Sequence, residues 1–77
     1  MTPDQRLPSI TAEQLVRALR RAGWYGVNQR GSHLRLRHSD YGVQLVVPMH
    51  KGDVPKGLLM ALIKQAGLTQ DEFRELL

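Results

Sequence analysis

The spacing of apolar residues changes twice along this chain, and these changes limit what it can fold into. Near the N-terminus, apolar residues recur at helical spacing, namely Ala12, Leu15, Val16, Leu19 and Ala22. From position 32 to 38 they alternate strictly with polar residues, which is the period of a half-buried strand. Helical spacing then returns in Leu59, Leu62, Ile63 and Ala66. The chain is therefore predicted to place helices before and after a sheet.

Local signals indicate where the first helix and the strands end. Thr11 and Gln14 match a capping box at the helix start, and Gly23 is predicted to end the helix in a left-handed conformation. Turn residues then separate three predicted strands, over residues 24–29, 32–38 and 43–48. Short strands joined by tight turns form an antiparallel meander.

A second helix is predicted from about Lys56, and a further capping box of Thr69 and Glu72 starts a short last helix. The predicted fold is α+β, in the order α-β-β-β-α with the short extra helix, and two helices pack on one face of a three-stranded antiparallel sheet. The covered face carries Leu34, Leu36, Leu45 and Val47. Residues 1–9 are predicted to be a flexible N-terminal segment, and residues 10–77 a single domain.

Composition narrows the classes of partner. The 77 residues include no cysteine, which excludes disulfides and thiolate metal sites, and no apolar run reaches the length of a membrane span. We therefore expect a cytoplasmic protein with no membrane partner. Between positions 17 and 64, nine Lys or Arg residues stand against two acidic ones. Such a positive field attracts polyphosphates, so nucleic acid is favoured over a basic surface without a partner.

One strand concentrates residues that suit phosphate chemistry. His33, Arg35 and Arg37 share a parity opposite to that of the apolar residues, so they are predicted to project from the open face, about 6.6–7 Å apart. An imidazole can exchange protons at neutral pH, and guanidinium groups bind phosphate by paired hydrogen bonds. RNA carries its own nucleophile, the 2′-hydroxyl, which a base could activate without a metal. The pattern also fits a surface histidine that merely contributes to a basic patch, which is what a lone histidine on a strand usually is, and a solvated face for the two arginines.

The other histidines and the tryptophan support weaker hypotheses. His38 has the opposite parity, which favours a turn or edge residue. An acid–base pair of His33 with His50 is an alternative, but nothing in the sequence places the two together. A metal site formed by His33, His38, His50 and Asp53 has no recognised ligand spacing. Trp24 directly follows the helix end, where a core anchor is favoured over a base-stacking role.

The order of short motifs resembles the HicA-type toxins of bacterial toxin–antitoxin pairs. The resemblance runs from about Ser9 to Phe73, and Gly31-Ser32-His33 is its most telling part. The other matching segments are Ala22-Gly23-Trp24, Arg30 before the Gly-Ser-His, the strand from Val43 to Pro48 followed by His50, Pro55-Lys56-Gly57, Ala66-Gly67-Leu68 and Glu72-Phe73.

The resemblance implies a fold like a double-stranded-RNA-binding domain and metal-independent cleavage of mRNA, with no cofactor, restrained by a HicB-type antitoxin. The family's catalytic histidine corresponds to His33, and the turn of Gly31 and Ser32 would present it. Arg35 and Arg37 are the predicted phosphate-binding residues, and Arg30 and Lys51 would extend the groove.

Two departures from the family pattern bear on the substrate. Gly57-Leu58 replaces the Gly-Thr of many relatives, and the lysine cluster of duplex-binding domains is reduced to Lys51 and Lys56. Single-stranded mRNA is therefore the expected substrate. The rival interpretations are a non-catalytic RNA-binding module of the same fold and a protein-interaction domain whose open sheet face is covered by a partner.

Overall fold

A computed structural model describes residues 7–77, and in that part of the chain the predicted order of elements is confirmed. Its helices are α1 (Ala12–Arg21), α2 (Lys56–Gln65) and α3 (Gln70–Leu76), and its strands are β1 (Tyr25–Arg30), β2 (His33–His38) and β3 (Tyr41–Pro48). The strands form one antiparallel sheet in the order β1-β2-β3. The architecture is the α+β arrangement of a double-stranded-RNA-binding domain. No described helix is long and apolar enough to cross a bilayer.

Both predicted capping boxes are present. At the start of α1, the Gln14 N–H donates to Thr11 Oγ1 at 3.2 Å and the Thr11 N–H donates to Gln14 Oε1 at 2.9 Å. Thr69 and Glu72 repeat this exchange at the start of α3. Each box satisfies two backbone donors that the first helical turn would leave unpaired. These short polar motifs therefore set the first residues of both helices.

The core lies between the helices and one face of the sheet. Leu36, Leu45 and Val47 are fully buried on that face, and Leu34 is half-buried against the same cluster. The helices cover them with fully buried apolar side chains, which include Leu15, Leu19, Leu59 and Phe73. The prediction of which sheet face is covered is confirmed.

Trp24 anchors the end of the sheet. Its side chain is 2% exposed, stacks on Tyr41 at 5.8 Å between ring centroids and meets His38 edge-on at 5.2 Å. The core role predicted for Trp24 is confirmed, and β1 begins only at Tyr25. β3 begins at Tyr41, two residues earlier than expected, because the turn between β2 and β3 consists of two residues only.

Most of the predicted flexible N-terminal segment, residues 1–9, lies outside the described part of the chain, which begins at residue 7. Its flexibility therefore stays a prediction. The first described residue, Leu7, is buried in the core. Its carbonyl accepts a hydrogen bond from Lys56 Nζ at the start of α2. The ammonium group of Lys56 is therefore engaged within the domain rather than held out toward a partner.

Candidate active site

His33 is the first residue of β2 and is exposed. A two-residue turn of Gly31 and Ser32 precedes it, and Gly31 has φ 56°, in the left-handed region that favours glycine. Across the sheet, Arg30 of β1 is its register partner, so the two side chains start from neighbouring positions on the same face. The hairpin therefore brings His33 and Arg30 together at one end of the sheet.

Arg35 and Arg37 lie farther along β2. Arg35 is half-buried between its register partners Asn28 and Val46, whereas Arg37 is exposed opposite Tyr25. Alternation along β2 keeps both arginines on the open face with His33, as predicted. They form a row that leads away from His33 toward the opposite end of the strand.

The position of His50 relative to His33 could not be predicted from the sequence. Its ring lies 6.5 Å from that of His33, centroid to centroid, with the two planes at 80°. Two backbone contacts produce this proximity: His33 pairs with Pro48 at the end of β3, and the Met49 N–H donates to the Ser32 carbonyl. Across residues 7–77, neither imidazole has a hydrogen-bond partner in the chain. Both rings are therefore available to a ligand.

The two histidines share a pocket of about 150 Å³. It lies between the first residue of β2, the β3–α2 loop and the starts of α1 and α2, and most of its wall is apolar. The residues that line it are Ala12, His33, Pro48, His50, Gly52, Asp53, Val54, Pro55 and Leu58. The predicted phosphate-binding residues Arg30, Arg35, Arg37 and Lys51 lie outside this lining. The arrangement is thus a small pocket with two imidazoles next to a basic sheet face.

The loop that carries His50 is held at its far end as well. Asp53 pairs with Thr11 as an isolated antiparallel bridge, and the Val54 N–H donates to the Ile10 carbonyl at 2.8 Å. Val54 itself is buried. His50 is therefore positioned by contacts to β2 on one side and to the start of α1 on the other. Lys51, the next residue, is exposed in the same loop.

His38 belongs to a different part of the molecule. Its Nε2 lies 3.0 Å from the Ala22 carbonyl, to which it donates, and its Nδ1 accepts from the Asp40 N–H at 3.0 Å. Both ring nitrogens therefore serve the structure at the Trp24 end of the sheet, as predicted for a turn or edge residue. Nowhere in residues 7–77 do three His, Cys, Asp or Glu side chains come together as a group that could hold a metal ion.

Comparison with known proteins finds one family. No curated protein matches the chain. The family model described as the HicA toxin of bacterial toxin–antitoxin systems matches residues 12–68, from the first residue of α1 to the residue before the cap of α3. The match spans well over half of the 77 residues and includes His33, His50 and the whole sheet. The chain therefore belongs to the HicA toxin family of bacterial toxin–antitoxin systems.

Proposed function

We propose that this toxin is a metal-independent endoribonuclease that cleaves single-stranded mRNA, with His33 as its general base. The observation that carries the proposal is the position of His33, exposed in a pocket wall and unpaired in the described part of the chain, at the end of a basic sheet face. A histidine that acts as a general base must reach the substrate proton that it removes, and it needs a ring nitrogen that no partner within the protein occupies. His38, by contrast, uses both ring nitrogens internally.

The open face supplies the binding surface in this proposal. Arg30 lies beside His33, and Arg35 and Arg37 continue along β2 at close to the phosphate spacing of an extended RNA strand. Removal of the 2′-hydroxyl proton by His33 starts attack on the adjacent phosphorus, so DNA, which lacks that hydroxyl, is spared. The arginines stabilise the charge that develops on the phosphate oxygens.

The antitoxin proposed as the inhibitor is of the HicB type. Family membership implies an antitoxin partner, and the open face suits a protein ligand because it mixes apolar and cationic side chains. Tyr25 and Val46 are exposed there, each opposite an arginine of β2. A protein that covers these residues also covers the approach to His33. Adding one equivalent of the cognate antitoxin should therefore stop cleavage.

Cleavage in the presence of a chelator tests the enzymatic proposal. The purified toxin is expected to cut an in vitro transcribed mRNA equally fast with and without EDTA, and to leave the matching DNA intact, as read on a denaturing gel. Tight binding of the mRNA without cleavage in either condition would favour the non-catalytic RNA-binding module. Activity that EDTA abolishes would instead show that a metal is required.

The two arginines of β2 should govern affinity more than chemistry. Replacing Arg35 or Arg37 with alanine removes one phosphate contact, so RNA binding weakens and the slope of log K against log salt falls by about 0.7 for each contact. Fluorescence anisotropy with a labelled RNA over a salt series measures both quantities. An unchanged slope in both variants would remove these arginines from the RNA-binding surface.

A further inference from the structure

The pairing of His33 with His50 supports an assignment beyond a single catalytic histidine. We propose that His50 is the general acid of the reaction, which protonates the leaving oxygen while His33 acts as the base. This inference rests on the proposed ribonuclease function and supplies its missing proton donor. The supporting observations are the 6.5 Å between the ring centroids, the pocket that both rings line and the lack of a hydrogen-bond partner for either ring in residues 7–77.

The two rings are close enough to reach the same phosphodiester but too far apart to hydrogen-bond to each other. A direct hydrogen bond would bring the ring nitrogens to about 3 Å, far closer than these rings allow. Each ring can instead hydrogen-bond, at about 2.6–3.2 Å, to a different oxygen of one phosphodiester bound at the mouth of their shared pocket. The near-perpendicular planes, at 80°, keep the rings from stacking on each other.

The anchored loop explains how His50 holds its position. His50 lies between two residues whose backbone groups are bonded elsewhere in the chain. The Met49 N–H donates to the Ser32 carbonyl, and the Val54 N–H donates to the Ile10 carbonyl. A proton donor contributes most when its geometry is set before the substrate arrives, because ordering a mobile loop would cost free energy during the reaction. The contact with Ser32 joins the loop to the turn that precedes His33, and the contact with Ile10 joins it to the segment before α1.

Other side chains near the site suit this role less well. Arg30 lies next to His33, but a guanidinium stays protonated in proteins and donates hydrogen bonds without releasing its proton. Asp53 lines the pocket, but an ionised carboxylate only accepts hydrogen bonds. Lys51 adjoins His50 but is exposed and lies outside the pocket lining. An imidazole is the group that both gives and takes a proton at neutral pH.

The step balances with these two residues alone. His33, neutral at the start, takes the proton from the 2′-hydroxyl, and the bond between O2′ and phosphorus forms. The bond between phosphorus and O5′ breaks as His50, protonated at the start, gives its proton to O5′. The products are a 2′,3′-cyclic phosphate and a 5′-hydroxyl end, with His33 protonated and His50 neutral. Proton exchange with water restores both residues.

The decisive experiment changes the leaving group, with the full-length toxin and an RNA oligonucleotide that contains its mapped cleavage site. In a second oligonucleotide, sulfur replaces the 5′ oxygen at that site, because a thiolate leaves without first receiving a proton. His50→Ala and His50→Gln are expected to slow cleavage of the ordinary RNA by about 10²–10⁴-fold, and to cleave the sulfur-containing RNA nearly as fast as the wild type. His33→Ala should be slow on both substrates. Lys64→Ala, on an exposed position of α2, is the matched control.

Each outcome separates the two proposals. Full activity of both His50 variants on ordinary RNA overturns the general-acid assignment and leaves His33 as the base. Equal loss on both oligonucleotides also overturns it, because it indicates a structural or binding role for His50. If His33→Ala cleaves ordinary RNA like the wild type, the proposed function itself fails. Thermal unfolding of the His50 variants, expected at the wild-type Tm because the residue is exposed, verifies that they fold.

Discussion

Alanine at position 33 is expected to abolish the growth arrest that we expect when the wild-type toxin is induced in bacteria. The substitution removes the proposed base, and loss of a positioned general base lowers a rate by about 10²–10⁴-fold. Purified His33→Ala should bind RNA with an affinity close to that of the wild type, because Arg30, Arg35 and Arg37 are retained. Colony counts after induction, and cleavage rates of the purified proteins on the same mRNA, measure the effect.

The variant should lose activity without losing its fold. His33 is exposed, so its truncation leaves no cavity, and unfolding should occur at the wild-type temperature. Lys64→Ala removes a charge from an exposed position of α2 and should arrest growth as the wild type does. Equal arrest by His33→Ala and the wild type would contradict the catalytic role of His33.

Alanine in place of Trp24 is expected to cause the largest loss of stability. The tryptophan is 2% exposed and contacts the rings of both Tyr41 and His38, so truncation opens a large cavity between the sheet end and the helices. Such changes cost about 3–5 kcal/mol in the free energy of unfolding. A domain of 77 residues has roughly 4–12 kcal/mol in total, so the substitution should remove at least about a quarter of the free energy of unfolding. Urea unfolding followed by circular dichroism measures the change.

The neighbouring residue provides the control for this second variant. Tyr25 is also aromatic but 49% exposed at the start of β1, and its truncation to alanine should change the free energy of unfolding by less than about 1 kcal/mol. Similar losses for the two variants would contradict the anchoring role of Trp24. Trp24→Ala and His33→Ala should both be less toxic in cells, but only the former through a smaller amount of folded protein.

Much of the fold follows from local patterns. The capping boxes at Thr11 and Thr69 set the starts of α1 and α3 through contacts within three residues. Strict alternation in β2 separates Leu34 and Leu36 from His33, Arg35 and Arg37, since neighbouring strand residues point to opposite faces. Both kinds of signal act over a single turn or a single strand. For that reason, the order of elements and the covered face of the sheet can be predicted from the sequence.

The register of the sheet, in contrast, does not follow from these local patterns. Counted from the two-residue turn between β2 and β3, where His38 pairs with Tyr41, an unbroken ladder would pair His33 with Val46. An irregularity between Leu36 and His38 moves its partner to Pro48 and so carries His50, two residues farther on, toward His33. Nothing in the alternation of β2 marks this irregularity.

His33 as an exposed histidine on an arginine-bearing strand is thus determined by the sequence, through side-chain period alone. Its proximity to His50 is decided by tertiary structure, for two physical reasons. A shift in strand pairing depends on both strands at once, and the loop that holds His50 is bonded at one end to Ser32 and at the other to Ile10. These partners lie 17 and 44 positions away from the loop residues that bond to them, Met49 and Val54, so only the folded chain brings them together.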